Sequence, residues 1–411
     1  MAARVAAIDV FICLVFRDLF RPTCNFLSPH GGKGIDSFPC VGQNHRLEKG
    51  RDPRTSGSPD VEGPPAEQRA CNPEERSMRI LKSLAVTVTA VTVAASAWAA
   101  DYKPEYTVST VLPAPFPWGI AAEKWVELVK ERTQGRINLK IYSNSQLVQG
   151  DQTKEFTALR QGIIDMALGS TINWSPQVKE LNLFSLPFLM PDTKALDALT
   201  RGAVADRIFA AIRDKGAEPI GWAENGFRQV TNSKHEIRTP ADLKGLKIRV
   251  VGSPLYNDIF SALGANPTQM SWADAKPALT TKAVDGQENP ITVFKIAKIE
   301  TVGQMFMTRW DYVADPLIFA VNPRVWKDFS AADQKILTDA AAEAGKIGIA
   351  ASRDGDDVAA KEAIAAGVKI TTLTAAERQA FVDATRGVYA DWSKKIGEDL
   401  VKLAEQAVAK R

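Results

Sequence analysis

The chain has 411 residues, 45% hydrophobic and 24% charged, with a formal net charge of +3. That is an ordinary globular composition with length for two or three domains, and so nearly balanced a charge sets up no field for nucleic acid or an anionic membrane. All four cysteines (Cys13, Cys24, Cys40 and Cys71) precede Met78, so residues 78–411 work without a disulfide, a thiolate nucleophile or a Cys-ligated metal.

Residues 1–77 are rich in Pro, Gly and Arg, keep no sustained apolar period and hold His30 and His45. The apolar run Val5 to Phe16 is short and interrupted by Asp9. A disordered extension is one reading; the preferred one is a start codon placed too far upstream, which leaves this stretch outside the mature protein. At Met78 the pattern changes to Met-Arg-Ile-Leu-Lys-Ser, an apolar stretch from Leu84 to Ala95, then Ala97-Trp98-Ala99-Ala100-Asp101. A basic start, a short apolar centre and an A-x-A site in that order predict a signal peptide over 78–100, cleaved near Ala99-Ala100, and a periplasmic protein. The apolar centre falls short of the ~20 residues a membrane span needs; a buried core helix is the alternative. No cysteine follows it to carry a lipid anchor.

Beyond Asp101 strand and helix patterns alternate, the mark of an α/β fold. Tyr106 to Val111, Ile137 to Ile141 and Leu246 to Val250 read as strands, the last two with period-two alternation. Ile120 to Arg132 carries Ala121, Trp125, Leu128 and Val129 at helical spacing, with a stop at Gln134-Gly135. Phe156 to Gln161 starts a second helix-like unit. The last third is helical: Ser330-Ala-Ala-Asp333 and Thr374-Ala-Ala-Glu377 have the form of capping boxes at helix starts.

Catalytic signatures are missing from this region. His235 is its single histidine, and His235-Glu236 has no second histidine at helical spacing for a zinc site. There is no G-x-S-x-G elbow, phosphate-binding loop or G-x-G-x-x-G. Asp285 and Glu288 could in principle serve a two-carboxylate hydrolase, but acids in a turn more often cap or face water. The reading is of a protein that is not an enzyme, with no catalytic residues, cofactor or metal.

Three segments carry a resemblance. The first runs from Gln146-Leu147 through Leu159-Arg-Gln-Gly-Ile-Ile-Asp165-Met, with Leu186-Pro-Phe-Leu189 beyond it. The second is Gly226-Phe-Arg228-Gln-Val-Thr-Asn-Ser-Lys, then Pro240-x-Asp-Leu-Lys-Gly-Leu-Lys-Ile-Arg249-Val, Ser253-Pro254 and Leu263-Gly-Ala-Asn-Pro. The third is Val284-Asp-Gly-Gln-Glu-Asn289-Pro290. In this order they resemble the DctP-type substrate-binding subunit of tripartite ATP-independent periplasmic (TRAP) transporters, from about residue 105 to about 400. The resemblance implies a two-lobed, flytrap-like α/β fold with the ligand closed between lobes. On that pattern 101–224 and 314–353 form one lobe, 225–313 and 354–411 the other. It further implies that Arg249 pairs with a ligand carboxylate, that Arg228 and Asn289 stand beside it, and that the partners are a small organic acid and the small and large membrane permease subunits. A monomer that uses an ion gradient is expected.

The residues support Arg249 independently. Alternation sends Leu246, Ile248 and Val250 to one face and Lys247 and Arg249 to the other, and Arg249 sits near the strand's C-terminal end, where open α/β sheets place their crevices. A guanidinium offers a planar fork that a carboxylate accepts in two bonds, which lysine cannot reproduce. A structural salt bridge is the competing reading. Arg228 lies in a loop-like stretch where arginine is often merely exposed. Asn289 offers donor and acceptor, with Pro290 holding the backbone before it extended; a turn-forming Asn is the alternative. Trp118, Trp174, Trp272 and Trp310 suggest an apolar, partly aromatic wall and an aromatic or branched monocarboxylate, although core packing accounts for any one of them equally well. A sensor feeding a membrane receptor, or an exported enzyme on the same lobes, are the rival readings.

Overall fold

The computed structural model describes residues 102–411. The expected signal peptide and the stretch 1–77 lie outside the described residues. The strands are β1 (Tyr106–Thr110), β2 (Leu139–Tyr142), β3 (Met166–Ser170), β4 (Glu218–Asn232), β5 (Lys247–Val250), β6 (Asn266–Gln269), β7 (Gly286–Pro290), β8 (Phe306–Arg309), β9 (Ala314–Val321) and β10 (Lys369–Thr372). The helices of seven residues or more are α1 (Pro117–Arg132), α2 (Glu155–Gln161), α3 (Thr193–Leu199), α4 (Gly202–Asp214), α5 (Pro254–Ala262), α6 (Trp272–Thr280), α7 (Ala331–Ala365), α8 (Ala375–Ile396) and α9 (Glu398–Ala409).

The strands run in the order β2-β1-β3-β9-β4-β7-β5-β6, with β8 between β4 and β10. One strand serves both halves. Residues Glu218 to Phe227 of β4 pair antiparallel with β9, whereas Arg228 to Asn232 pair antiparallel with β7. Around β9 the first sheet gathers β3 in antiparallel pairing and β1 and β2 in parallel; on the other side β7, β5 and β6 run parallel. The chain therefore crosses at β4, returns from β8 to β9, and passes along α7 to β10. The result is a two-lobed α/β fold. The register of β4 shifts between Glu224 and Gly226, and Gly226 takes a φ of +124° there, a conformation that suits glycine.

Local sequence explains the elements. β3 and β9 are buried along their whole length and read as near-continuous apolar runs, as strands covered on both faces do. α1 buries Ala121, Trp125, Leu128 and Val129 and ends before Gln134 and Gly135, which both have positive φ. Ser330 accepts from the Asp333 N–H at the start of α7, and Thr374 and Glu377 exchange both bonds of a capping box at α8. α7 is 35 residues long and packs on α1 and β4, where Gly345 lets the backbones touch. α8 packs on α5 and on the 3-10 helix Lys179–Ser185, and α9 on α3 and α4. Among the described residues no helix is long and apolar enough to cross a membrane.

Candidate functional site

A small cavity lies where the two sheets meet, lined from β4, β5, β7 and β9 and from the N-terminal ends of α1 and α6. Five of the seven expected residues line it: Arg249, Arg228, Asn289, Trp118 and Trp272. Two do not. Trp174 is fully buried beneath β3, its indole against Gly169, where a Cβ would come within 2.0 Å of the ring. Trp310 belongs to an aromatic cluster with Phe188, Phe260, Tyr312 and Phe381. Both are core side chains by position, because their rings are already fully covered by protein.

Arg249 stands one residue from the C-terminal end of β5 and is 1% exposed. Its Nε and Nη2 donate to the Met270 carbonyl at 3.1 and 2.8 Å, and its guanidinium lies 5.8 Å from the Trp272 ring. Nη1 is buried with no hydrogen-bond partner among the described residues. Among the described residues no carboxylate forms an ion pair with it. Desolvation, reinforced by the charge of Arg228 and only partly offset by Glu288, pushes its pKa down to about 10, so it remains a cation at neutral pH. A buried cation held only by a carbonyl and an aromatic face is a site for an anion.

Arg228 is different. It is not in a loop but in the middle of β4, and equally buried. Glu288 receives it in a bidentate pair, through Nε to Oε2 and through Nη2 to Oε1 at 2.9 Å. Nη2 also donates to the Glu288 carbonyl at 2.8 Å and to Asn289 Oδ1 at 3.1 Å, and Nη1 reaches Asp315 Oδ2 at 3.4 Å. Burial disfavours its charge, but the Glu288 carboxylate overcomes that and the pKa is raised. The salt bridge considered for Arg249 is thus the property of Arg228. Asn289 accepts from Arg228 and donates Nδ2 to Gln287 Oε1 at 2.6 Å, so it is aimed by two neighbours and no turn is involved.

Sequence reasoning missed four polar members of the lining. Gln152 spans the cavity mouth: Nε2 donates to Asn173 Oδ1 at 2.9 Å, and Oε1 accepts the Trp272 N–H at 2.9 Å. Nearby, Ser175 and Ser253 join hydroxyls across the same seam at 3.2 Å. Asn225 donates Nδ2 to Asp315 Oδ2 at 2.8 Å, and Asp315 Oδ1 accepts from Ser170 at 2.5 Å. Asp315 had one readable signal, a lone acid inside the apolar run of β9. Val111, Leu112, Val251 and Val293 supply the apolar wall, with Trp118, whose indole N–H is occupied by the Leu168 carbonyl at 2.7 Å. Among the described residues no group of three or more His, Cys, Asp or Glu is placed to hold a metal ion.

One pocket thus combines an unpaired cation, a neutralised cation and a ring of amides over an apolar wall. It can grip one carboxylate and a few neutral oxygens. Known proteins with similar sequences carry the same sense. The family described as bacterial extracellular solute-binding protein, family 7 (DctP) matches residues 108–395. A crystal structure of a TRAP periplasmic solute-binding protein from Ralstonia eutropha H16, with bound (S)-2-hydroxy-2-methyl-3-oxobutanoate ((S)-2-acetolactate), is 61% identical; it superposes with a TM-score of 0.74 over 75% of this chain and 100% of that one. The sugar acid-binding protein DctPAm of Advenella mimigardefordensis, in complex with galactonate, is 29% identical with a TM-score of 0.72, over 75% of this chain and 99% of that one. The 2,3-diketo-L-gulonate-binding periplasmic protein YiaO of Escherichia coli K12 is 34% identical over 290 residues, 70% of this chain and 87% of the relative.

Proposed function

Because this chain belongs to bacterial extracellular solute-binding protein family 7, the DctP-type substrate-binding subunits of TRAP transporters, we propose that it captures a compact, branched monocarboxylate. The observation that carries the reading is Arg249, a buried guanidinium that has, among the described residues, no partner for Nη1 and no carboxylate paired to it. Glu288 and Asp315 both pair with Arg228, so Arg249 is the one guanidinium of the lining with no carboxylate partner among the described residues, which suits one carboxylate and leaves a second without a partner. The cavity is tight, closed in by Trp118, Trp272 and the two arginines, which favours a small ligand. The apolar wall favours a short branched skeleton, and the relative from Ralstonia eutropha, crystallised with acetolactate, holds an acid of that kind.

The role in the cell follows as part of the same proposal. A signal peptide over 78–100 exports the protein to the periplasm. There it closes around the acid like a clamshell and docks on small and large membrane subunits that import the cargo on an ion gradient. No chemistry is performed on the ligand.

Thermal-shift screening of the full chain against small organic acids tests this. A ligand at a hundred times its dissociation constant adds about 2.7 kcal/mol of stability, a visible shift. Branched monocarboxylates should stabilise the protein more than dicarboxylates of similar length. Arg249→Ala should weaken binding by roughly a hundred- to several-thousand-fold, since breaking a buried pair costs about 3–5 kcal/mol, and Arg249→Lys should fail to restore it. Undiminished affinity in both variants, or a clear preference for neutral sugars, would sink the reading.

A further inference from the structure

Asn225 is a second group in the cavity whose hydrogen-bonding capacity is unmet. It sits in β4 at the register shift beside Gly226, is 2% exposed, and lines the same cavity as Arg249. Its two amide atoms are not interchangeable. The atom 2.8 Å from Asp315 Oδ2 is the donor Nδ2, because that carboxylate oxygen is also approached by the Arg228 guanidinium at 3.4 Å and so acts as an acceptor. The other atom is therefore the carbonyl Oδ1, buried without a donor among the described residues. Two orphans share one cavity: a donor, Arg249 Nη1, and an acceptor, Asn225 Oδ1.

A carboxylate answers the first and not the second, since an ionised carboxylate only accepts. Leaving a buried acceptor unmet is costly. Resting on the carboxylate reading above, we propose that Asn225 Oδ1 accepts a hydrogen bond from a hydroxyl of the ligand, so that the site selects hydroxy acids over oxo acids and unsubstituted acids of the same size. The small cavity keeps that hydroxyl within a few carbons of the carboxylate. An ammonium group would also donate, but the acids here are already matched: Asp315 holds Ser170, Asn225 and Arg228, and Glu288 holds Arg228 and Tyr312. Those bonds leave no acid oxygen free of a donor to take up an ammonium, and valine is the acid that tests the point. A site built to bond a hydroxyl rejects the analogue lacking it more strongly than a hydrophobic pocket can.

Calorimetric titration of the full chain with 2-hydroxy-3-methylbutanoate, 3-hydroxy-3-methylbutanoate, 2-oxo-3-methylbutanoate, 3-methylbutanoate and valine reads this directly. At least one hydroxy acid should bind about 10- to 100-fold tighter than the oxo and unsubstituted acids. Asn225→Ala should abolish the ratio between the affinities for the hydroxy acid and 3-methylbutanoate measured on the same variant, whatever it does to both together. The series on the native protein decides the matter if the variant does not fold. Equal binding of hydroxy, oxo and unsubstituted acids overturns the hydroxyl inference and leaves the carboxylate reading in place. Tightest binding of valine, or a hydroxyl preference that survives Asn225→Ala, overturns it too. If none of the acids binds, the carboxylate reading falls and takes the inference with it.

Discussion

Arg249 and Arg228 enter the same cavity under opposite electrostatics, and only one was readable in advance. Alternation along a short strand put Arg249 on the polar face of β5, and its place near the strand end pointed to a crevice. The role of Arg228 was not readable, because its partner Glu288 lies sixty residues away and sequence alone does not say which buried charges meet. Glu155 shows the same limit. It sits fully buried at the start of α2 and accepts from Ser109 Oγ at 2.7 Å and Trp174 Nε1 at 3.1 Å. Desolvation raises its pKa to about 7, against the two hydrogen bonds that lower it. The folded state thus holds this proton more tightly than the unfolded chain, whose glutamate titrates near ~4.3. The associated stability is fully present below the unfolded value and is lost as pH rises towards the folded one, on the order of 3 kcal/mol in all. Glu155→Gln removes the titration. Urea unfolding at pH 5 and pH 8 should show the native protein losing on the order of 3 kcal/mol more than the variant; parallel losses would mean that Glu155 is ionised in the fold.

At the scale of elements, the helices were more legible than the strands that matter most. The starts of α7 and α8 were marked by Ser330 and Thr374, because a helix cap is a local device. β4 was not marked. Its fifteen residues include Gly221, Asn225 and Gly226, which read as a turn or loop; pairing with β9 and β7 makes them a strand, and that pairing is tertiary. A close backbone approach is also hidden in a helix. A Cβ on Gly345 of α7 would lie 2.0 Å from the Trp222 carbonyl in β4. In an exposed helix glycine to alanine gains about 1 kcal/mol. Here the helix must instead move off the strand, and overpacking of this kind costs roughly 1–3 kcal/mol. Gly345→Ala should therefore lower the melting temperature, and a raised one would show that α7 and β4 are not in contact.

The molecule as a whole is held shut across the cavity by few bonds. Gln152 makes one of them, held by Asn173 on its own side while it accepts the Trp272 N–H from the other. Its removal should change how long a ligand stays more than how fast it arrives. Gln152→Ala is expected to raise the dissociation rate by roughly 5- to 30-fold, the worth of one to two kcal/mol of hydrogen bonding, with the association rate nearly constant. Stopped-flow tryptophan fluorescence separates the two, since Trp272 is bonded to Gln152 and lines the cavity; a fall confined to the association rate would count against a latch. The two-lobed α/β plan followed from the ordered segments of sequence. The identity of the residues that meet across the seam did not, because Gln152 and Trp272 are 120 positions apart.

The position of β9 has a consequence for how this protein is made. It lies between β3 and β4 in the sheet but leaves the ribosome after both. Until Val321 has been synthesised, the first sheet lacks the strand that joins β3 to β4, and no earlier strand among the described residues fills the two edges it leaves. A nascent chain ending at residue 313 should accordingly be digested readily by protease, whereas one that includes β9 and α7 should resist; equal resistance would show that the earlier strands close without it. On that outcome the chain stays a thread until β9 is made, and a thread is the form that the export proposed above requires.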